Sequence, residues 1–229
     1  MNNTVSAVIA AAGSGSRMKS SVNKQFLLLD GIPVLAHTLK VFQNAEIIDE
    51  IVIVASEKEL LSIGELVDKY NITKVKSITK GGATRQASVK CGLEKISGSR
   101  VLIHDGARPF VTIKQIEEVA QKLLYCSAAA VGVKVKDTIK RVNKDNVIVE
   151  TLDREELVQI QTPQGFVSNV IIDAHNRAEK EGILVTDDCA LAEYMGIDVY
   201  VVEGSSRNIK ITVPEDLEIG EAFLKGGKR

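Results

Sequence analysis

The stretch Ala10-Ala11-Ala12-Gly13-Ser14-Gly15-Ser16-Arg17-Met18 follows the apolar run "VSAVIA" and leads on to Lys24. Its residue types suit an anion site. The two glycines let backbone N–H groups approach a charged oxygen, Arg17 offers a planar fork for bidentate phosphate contacts, and Lys24 offers a point charge. Neither common phosphate loop fits. The Gly-x-x-x-x-Gly-Lys-Ser/Thr spacing is missing, and Met18 stands where the dinucleotide fingerprint needs its third small residue. A tight strand-to-helix turn with two solvated cations would use the same residues, so the loop alone leaves both readings open.

Such a loop has to be presented by a sheet. "VSAVIAA", "EIVIVAS", "KVKSI" and "RVLIHDG" are short, apolar and β-branched, as strands buried on both faces of a parallel sheet should be. Between them, "VLAHTLKVFQ", "EKELLSIGELVDKY", "TRQASVKCGLEKI" and "TIKQIEEVAQKLLY" carry apolar residues at helical spacing. Helices around "NVIIDAHNRAEKEG" and "DDCALAEYMG" follow, then a strand "DVYVVEG", a short extended run "NIKIT", and a helix after Pro214. The alternation predicts a doubly wound α/β fold with a mostly parallel sheet, whose ligand crevice lies at the carboxyl ends of the strands. One segment departs from it. "VKVKDTIKRV" and "NVIVETL", joined through "NKDN", read as an antiparallel hairpin over about residues 133–152. A lone hairpin is marginal in water, so it must pack on its own domain or on a second subunit.

With 229 residues, 45% of them hydrophobic, the chain is expected to form one domain over residues 1–229. A net charge of -1 argues against nucleic acid and anionic membrane surfaces as partners, and leaves room for a small polyanion. The three cysteines, Cys91, Cys126 and Cys189, are scattered and form no Cys-x-x-Cys pair, which fits a reducing cytoplasm better than a disulfide framework or a zinc site. No secretion signal and no membrane-spanning run is apparent, so a cytoplasmic location is expected.

The first loop resembles the signature of the sugar-phosphate nucleotidyltransferases, Ala-Ala-Gly-x-Gly-x-Arg-Met followed by a lysine. Within that superfamily the chain resembles the 2-C-methyl-D-erythritol 4-phosphate cytidylyltransferase family nearly end to end, through "AAGSGSRM", "NKQF", "GGATRQASV", "HDGARPF", "VKDTIKRV", "DREELVQIQTPQGF", "TDD" and "EGSSRNIKIT". It departs where many members have an acidic residue after the paired glycines and this chain has Ala83 and Thr84.

The resemblance implies a Rossmann-like nucleotidyltransferase fold, a homodimer embraced by the hairpin arm, and Mg2+ as cofactor. CTP and a polyol phosphate would be the substrates, with in-line attack of the acceptor phosphate on the α-phosphorus of CTP and loss of pyrophosphate. It gives catalytic roles to Arg17, Lys24, Arg154 and Lys210. Ala11, Ala12, Gly13, Ser14, Gly15, Gly81, Gly82, Ser88, Asp105 and Gly106 would hold the nucleotide, while Arg108, Thr138, Arg154, Thr162 and Lys210 would hold the acceptor. Asp105 would face phosphates, a repulsion that a divalent cation would relieve, so it is the expected metal ligand. His104 reads as a packed residue, and Thr186 as the N-cap of a helix that opens with Asp187 and Asp188. Ribitol 5-phosphate is the alternative acceptor; a nucleotide-sensing module and an NAD-dependent dehydrogenase fit the residues less well.

Overall fold

The computed structural model describes residues 3–13 and 23–226. The first half holds β1 (Val5–Ala10), the short pair β2 (Leu28–Leu29) and β3 (Ile32–Pro33), α1 (Val34–Asn44), β4 (Glu50–Ala55), α2 (Leu60–Lys69), β5 (Val75–Lys80), α3 (Arg85–Leu93), β6 (Arg100–Asp105) and α4 (Ile113–Lys122). The second holds β7 (Ala128–Lys134), β8 (Lys140–Val142), β9 (Ile148–Thr151), β10 (Val158–Val167), α5 (Ser168–Glu181), α6 (Asp188–Tyr194), β11 (Val199–Glu203) and α7 (Pro214–Gly226).

A seven-stranded sheet runs in the order β11-β7-β10-β6-β1-β4-β5. Every strand points the same way except β10, which is antiparallel to both β6 and β7. Alternation along β1 divides the core. Val5, Ala7 and Ile9 pack under α1, α2 and α4 with Leu39, Phe42, Ile63 and Ile116, while Val8 faces α3, α5 and α6 with Val89, Ile171 and Leu191. Helices therefore cover both faces, as a doubly wound sheet requires.

Three local readings are corrected and one strand is added. The strand expected across "VKVKDTIKRV" is divided: its start belongs to β7 in the main sheet, and only Lys140–Val142 pairs with β9. The hairpin turn is built by Asn143, whose side-chain oxygen accepts from the backbone N–H groups of Asp145 and Val147, and by Asn146 at φ 60°. The "NIKIT" run is no strand; Ile211 N–H instead donates to the Ala107 carbonyl at 2.8 Å. Helix α6 is capped by Asp187 rather than Thr186, with the Asp187 carboxylate accepting from Ala190 N–H at 3.1 Å. Strand β10 has no clear signal in the sequence, because Gln159, Gln161, Thr162, Pro163 and Gln164 interrupt the apolar pattern. The β10–β7 register shifts between Ile160 and Gln164, and Pro163 sits in that irregularity, where no ladder hydrogen bond is demanded of it.

Helix α3 approaches the sheet closely because Gly92 has no side chain. A Cβ there would meet Val8 Cγ1 at 2.6 Å and Val54 Cγ2 at 2.7 Å, whereas one at Gly64 on α2 would meet nothing within 4 Å. Gly92→Ala should cost about 1–3 kcal/mol in urea unfolding, while Gly64→Ala should gain about 0.5–1 kcal/mol by restricting the unfolded chain. Equal effects for the two substitutions would refute the close seating of α3.

Candidate active site

Strands β1, β5 and β6 end at one edge of the sheet, and β10 enters the sheet there because it runs the other way. Ala10 pairs with Asp105 in register, so the first loop and the "HDGARP" turn leave the sheet side by side. The first loop is tied down on both sides: Ala11 N–H donates to the Val54 carbonyl at 2.7 Å, and the Gln25 amide donates to the Ala11 carbonyl. Ser14, Gly15, Arg17 and the side chain of Lys24 lie outside the described residues.

The loop after β5 is pressed against this first loop. A Cβ on Gly81 would stand 2.8 Å from Ala12 Cβ and 2.6 Å from Ser88 Oγ, and one on Gly82 would stand 2.5 Å from Ala87 Cβ. Both glycines are thus demanded by packing. Ser88 is buried, with its hydroxyl turned to the Thr84 carbonyl at 2.8 Å, and Thr84 caps α3 by accepting from Ala87 N–H. A cavity of about 460 Å³ opens between the two loops and is lined by Ala12, Gly13, Gln25, Gly82, Arg85, Ser88, Asp105 and Lys210.

Asp105 is the electrostatic centre. Lys210 Nζ lies 2.7 Å from its Oδ2, Arg85 Nε 3.4 Å from its Oδ1, and Arg108 Nε 3.7 Å from its Oδ2. Burial works to raise the pKa of this carboxyl, but the nearby cations, Lys210 first, outweigh it and hold it well below the usual carboxylate range. Arg85 is braced from the far side by Asp188 at 2.8 Å, and Asp188 in turn meets His175 Nε2 at 3.2 Å and donates its backbone N–H to Gln164 Oε1 at 3.0 Å. A second cavity, of about 620 Å³, lies on the other side of Lys210 and Arg108 and reaches the base of the arm at Lys136 and Asp137. Lys210 lines both cavities.

The sequence-derived residues fall into three groups. Ala12, Gly13, Gly82, Ser88, Asp105, Arg108 and Lys210 converge around the two cavities, with Ala11, Gly81 and Gly106 forming the turns beneath. Thr162 sits behind Asp105, 3% exposed, where its oxygen accepts from Asp105 N–H at 3.2 Å and lies 2.9 Å from His104 Nδ1. Thr138 and Arg154 lie on the exposed arm. Arg154 donates to the Lys136 carbonyl at 3.0 Å, pairs with Glu155 at 3.7 Å and lines neither cavity.

Arg85 and its partner Asp188 were not anticipated. One signal was available: Arg85 is the first residue of α3, at the positive end of the helix dipole, where a cation is disfavoured unless carboxylates compensate.

A sequence profile described as 2-C-methyl-D-erythritol 4-phosphate cytidylyltransferase matches residues 5–226. Relatives of that name from Halalkalibacterium halodurans and Clostridium acetobutylicum are each 50% identical, over 225 residues (98% of both chains) and 221 residues (96% of both chains). The crystal structure of 4-diphosphocytidyl-2C-methyl-D-erythritol synthase from Anaerococcus prevotii superposes with a TM-score of 0.87 at 33% identity, covering 97% of this chain and 96% of that one.

His104 yields a pH test. It is fully buried, with Nε2 3.2 Å from the Arg108 carbonyl, and burial pushes its pKa from 6.5 down to about 4. Between these values the unfolded chain takes up a proton that the folded protein refuses, so stability should fall as pH drops from about 6.5 towards 4. The full loss, reached below about pH 4, is on the order of 3 kcal/mol. Chemical unfolding across that range should show a shallower slope for His104→Gln than for the native protein; parallel slopes would contradict a neutral buried imidazole.

Proposed function

The chain belongs to the 2-C-methyl-D-erythritol 4-phosphate cytidylyltransferase family, and from that premise we propose how its residues divide the work. The reaction transfers the cytidylyl group of CTP to 2-C-methyl-D-erythritol 4-phosphate, giving 4-diphosphocytidyl-2-C-methyl-D-erythritol and pyrophosphate in non-mevalonate isoprenoid precursor synthesis. An acceptor phosphate oxygen forms the new bond to the α-phosphorus as the bond to the β-phosphate oxygen breaks. No protein nucleophile is needed; positioning and neutralisation of charge supply the rate.

The observation that carries the assignment of roles is the Asp105–Lys210–Arg108 cluster standing between two cavities. CTP occupies the smaller cavity, its base beside Gly81, Gly82 and Ser88 and its phosphates at the first loop, where Arg17 and Lys24 meet the charge that builds on the α- and β-phosphates. The acceptor phosphate occupies the larger cavity, with Arg108 as the fork and Lys210 as the cation shared with CTP. Gly106 supplies the turn that sets Asp105 against the first loop.

Asp105 is a poor fit for a direct magnesium ligand, since both of its oxygens already face cations. Any Mg2+ would be held chiefly by the phosphates of CTP, and the chemistry it would supply there is neutralisation of charge. Asp105 orients Lys210, Arg85 and Arg108.

The arm serves a second copy of the chain. Both its strands are exposed along their whole length, and Val142, Val147, Ile148 and Val149 are each 49–59% exposed, a run of apolar surface that an isolated hairpin would not keep in water. Thr138 and Arg154 then complete the acceptor site of the partner, with Thr162 supporting it from behind. No helix among the described residues is long and apolar enough to cross a membrane, and the three cysteines are unpaired, which suits the cytoplasm.

Pyrophosphate release from CTP tests the assignment in one assay. The native protein should turn over 2-C-methyl-D-erythritol 4-phosphate in preference to ribitol 5-phosphate, and Lys24→Ala should lose roughly 10²–10³-fold in kcat. Arg154→Ala should be similarly impaired. Mixing these two variants under conditions of confirmed subunit exchange should restore about a quarter of native activity, because a heterodimer has one site with both lesions and one with neither. No recovery would show that the arm serves its own subunit.

A further inference from the structure

We infer that His104 is a positioning residue for Arg108, closing as a neutral Nε2–H imidazole a ring of hydrogen bonds behind the site. The inference rests on the reading of Arg108 as a contact to the acceptor phosphate. The ring passes through four residues. Thr162 Oγ1 stands 2.9 Å from His104 Nδ1, and the Thr162 carbonyl accepts from Asn208 Nδ2 at 2.9 Å. The Asn208 carbonyl accepts from Arg108 Nη1 at 2.7 Å, and the Arg108 carbonyl faces His104 Nε2 at 3.2 Å.

The proton positions follow from the partners. A carbonyl only accepts, so the hydrogen is on Nε2, and Nδ1 of the neutral ring is left as an acceptor. Thr162 Oγ1 accepts from Asp105 N–H at 3.2 Å, which leaves its own hydrogen for Nδ1. An Nδ1–H tautomer would take away the acceptor for the Thr162 hydroxyl hydrogen and leave the Arg108 carbonyl without a donor from the ring.

Arg108 is thereby held at both ends, its carbonyl by His104 and its guanidinium by Asn208. The other carbonyls of the turn have their own donors: Arg108 N–H serves Asp105, Thr38 Oγ1 serves Gly106, and Ile211 N–H serves Ala107. The Arg108 carbonyl is the one that falls to a side chain within the ring. The tilted contact with Phe42, 5.0 Å between ring centroids, accounts for an aromatic shape at this position but not for two matched polar partners.

Three substitutions separate positioning from packing. His104→Phe keeps the shape and removes both hydrogen bonds; His104→Gln can return an N–H to the Arg108 carbonyl; His104→Asn can return an acceptor to Thr162 only. For His104→Phe, KM for 2-C-methyl-D-erythritol 4-phosphate should rise roughly tenfold or more, with KM for CTP changed less than about threefold. His104→Gln should recover most of that loss and His104→Asn little of it. In an Arg108→Ala background, His104→Phe should add no further rise. Long-range 1H–15N spectra of the native protein at neutral pH should show the Nε2–H tautomer, a readout that stands even if His104→Phe fails to fold. An Nδ1–H tautomer, an equal rise in both KM values, or a full additional loss in the Arg108→Ala background would each overturn the inference. Failure of the broader assignment would look different, as absence of turnover of this acceptor by the native protein.

Discussion

Asp105 holds its carboxylate at the last residue of β6 with Lys210, Arg85 and Arg108 gathered around it. Three cations brought this close without an anion would repel one another, and a buried carboxylate without cations would be protonated. Each side of the cluster makes the other tenable. The cations come from separate parts of the chain, the first turn of α3, the turn after β6 and the segment before α7, so the cluster fixes how these parts meet. Its consequence is a prearranged positive wall between two cavities, which needs no reorganisation when phosphates arrive.

The reversed strand β10 connects that wall to the arm. It leaves the arm at Val158, enters the sheet at the crevice, and places Gln161, Thr162 and Gln164 directly behind the cluster. Gln164 reaches onward to Asp187 and to the backbone of Asp188, which braces Arg85. One irregular strand thus supports Arg85 through Asp188 and Arg108 through Thr162, Asn208 and His104. A strand of uninterrupted apolar residues would pack as well but would offer no polar groups at this edge.

The parallel strands and covering helices were legible because burial on both faces imposes continuous apolar runs, and helical spacing marks the rest. Strand β10 was not legible: its polar residues serve the site, and they erase the period that would reveal a strand. The hairpin was legible as a hairpin, but the start of its first strand was not, because "VKVK" alternates in the same way whether it pairs with β10 or with β9. Lys210 and Arg108 stood out through the motifs around them. Arg85 and Asp188 lie 103 positions apart, and only the fold brings them together. The resemblance gives Gly81 and Gly82 a part in holding the nucleotide; the structure adds that Ala12, Ala87 and Ser88 leave no room for a side chain at either.

Whether Asp105 organises cations or holds magnesium is decided by the metal dependence of Asp105→Asn. Steady-state pyrophosphate release should be measured over a wide range of Mg2+ at saturating CTP and acceptor. If the carboxylate orients Lys210, Arg85 and Arg108, kcat should fall by about 10²-fold while the Mg2+ concentration for half-maximal rate stays where it is in the native protein. A half-maximal concentration raised about tenfold or more, with the rate restored at high Mg2+, would be the signature of a lost metal ligand and would contradict the account.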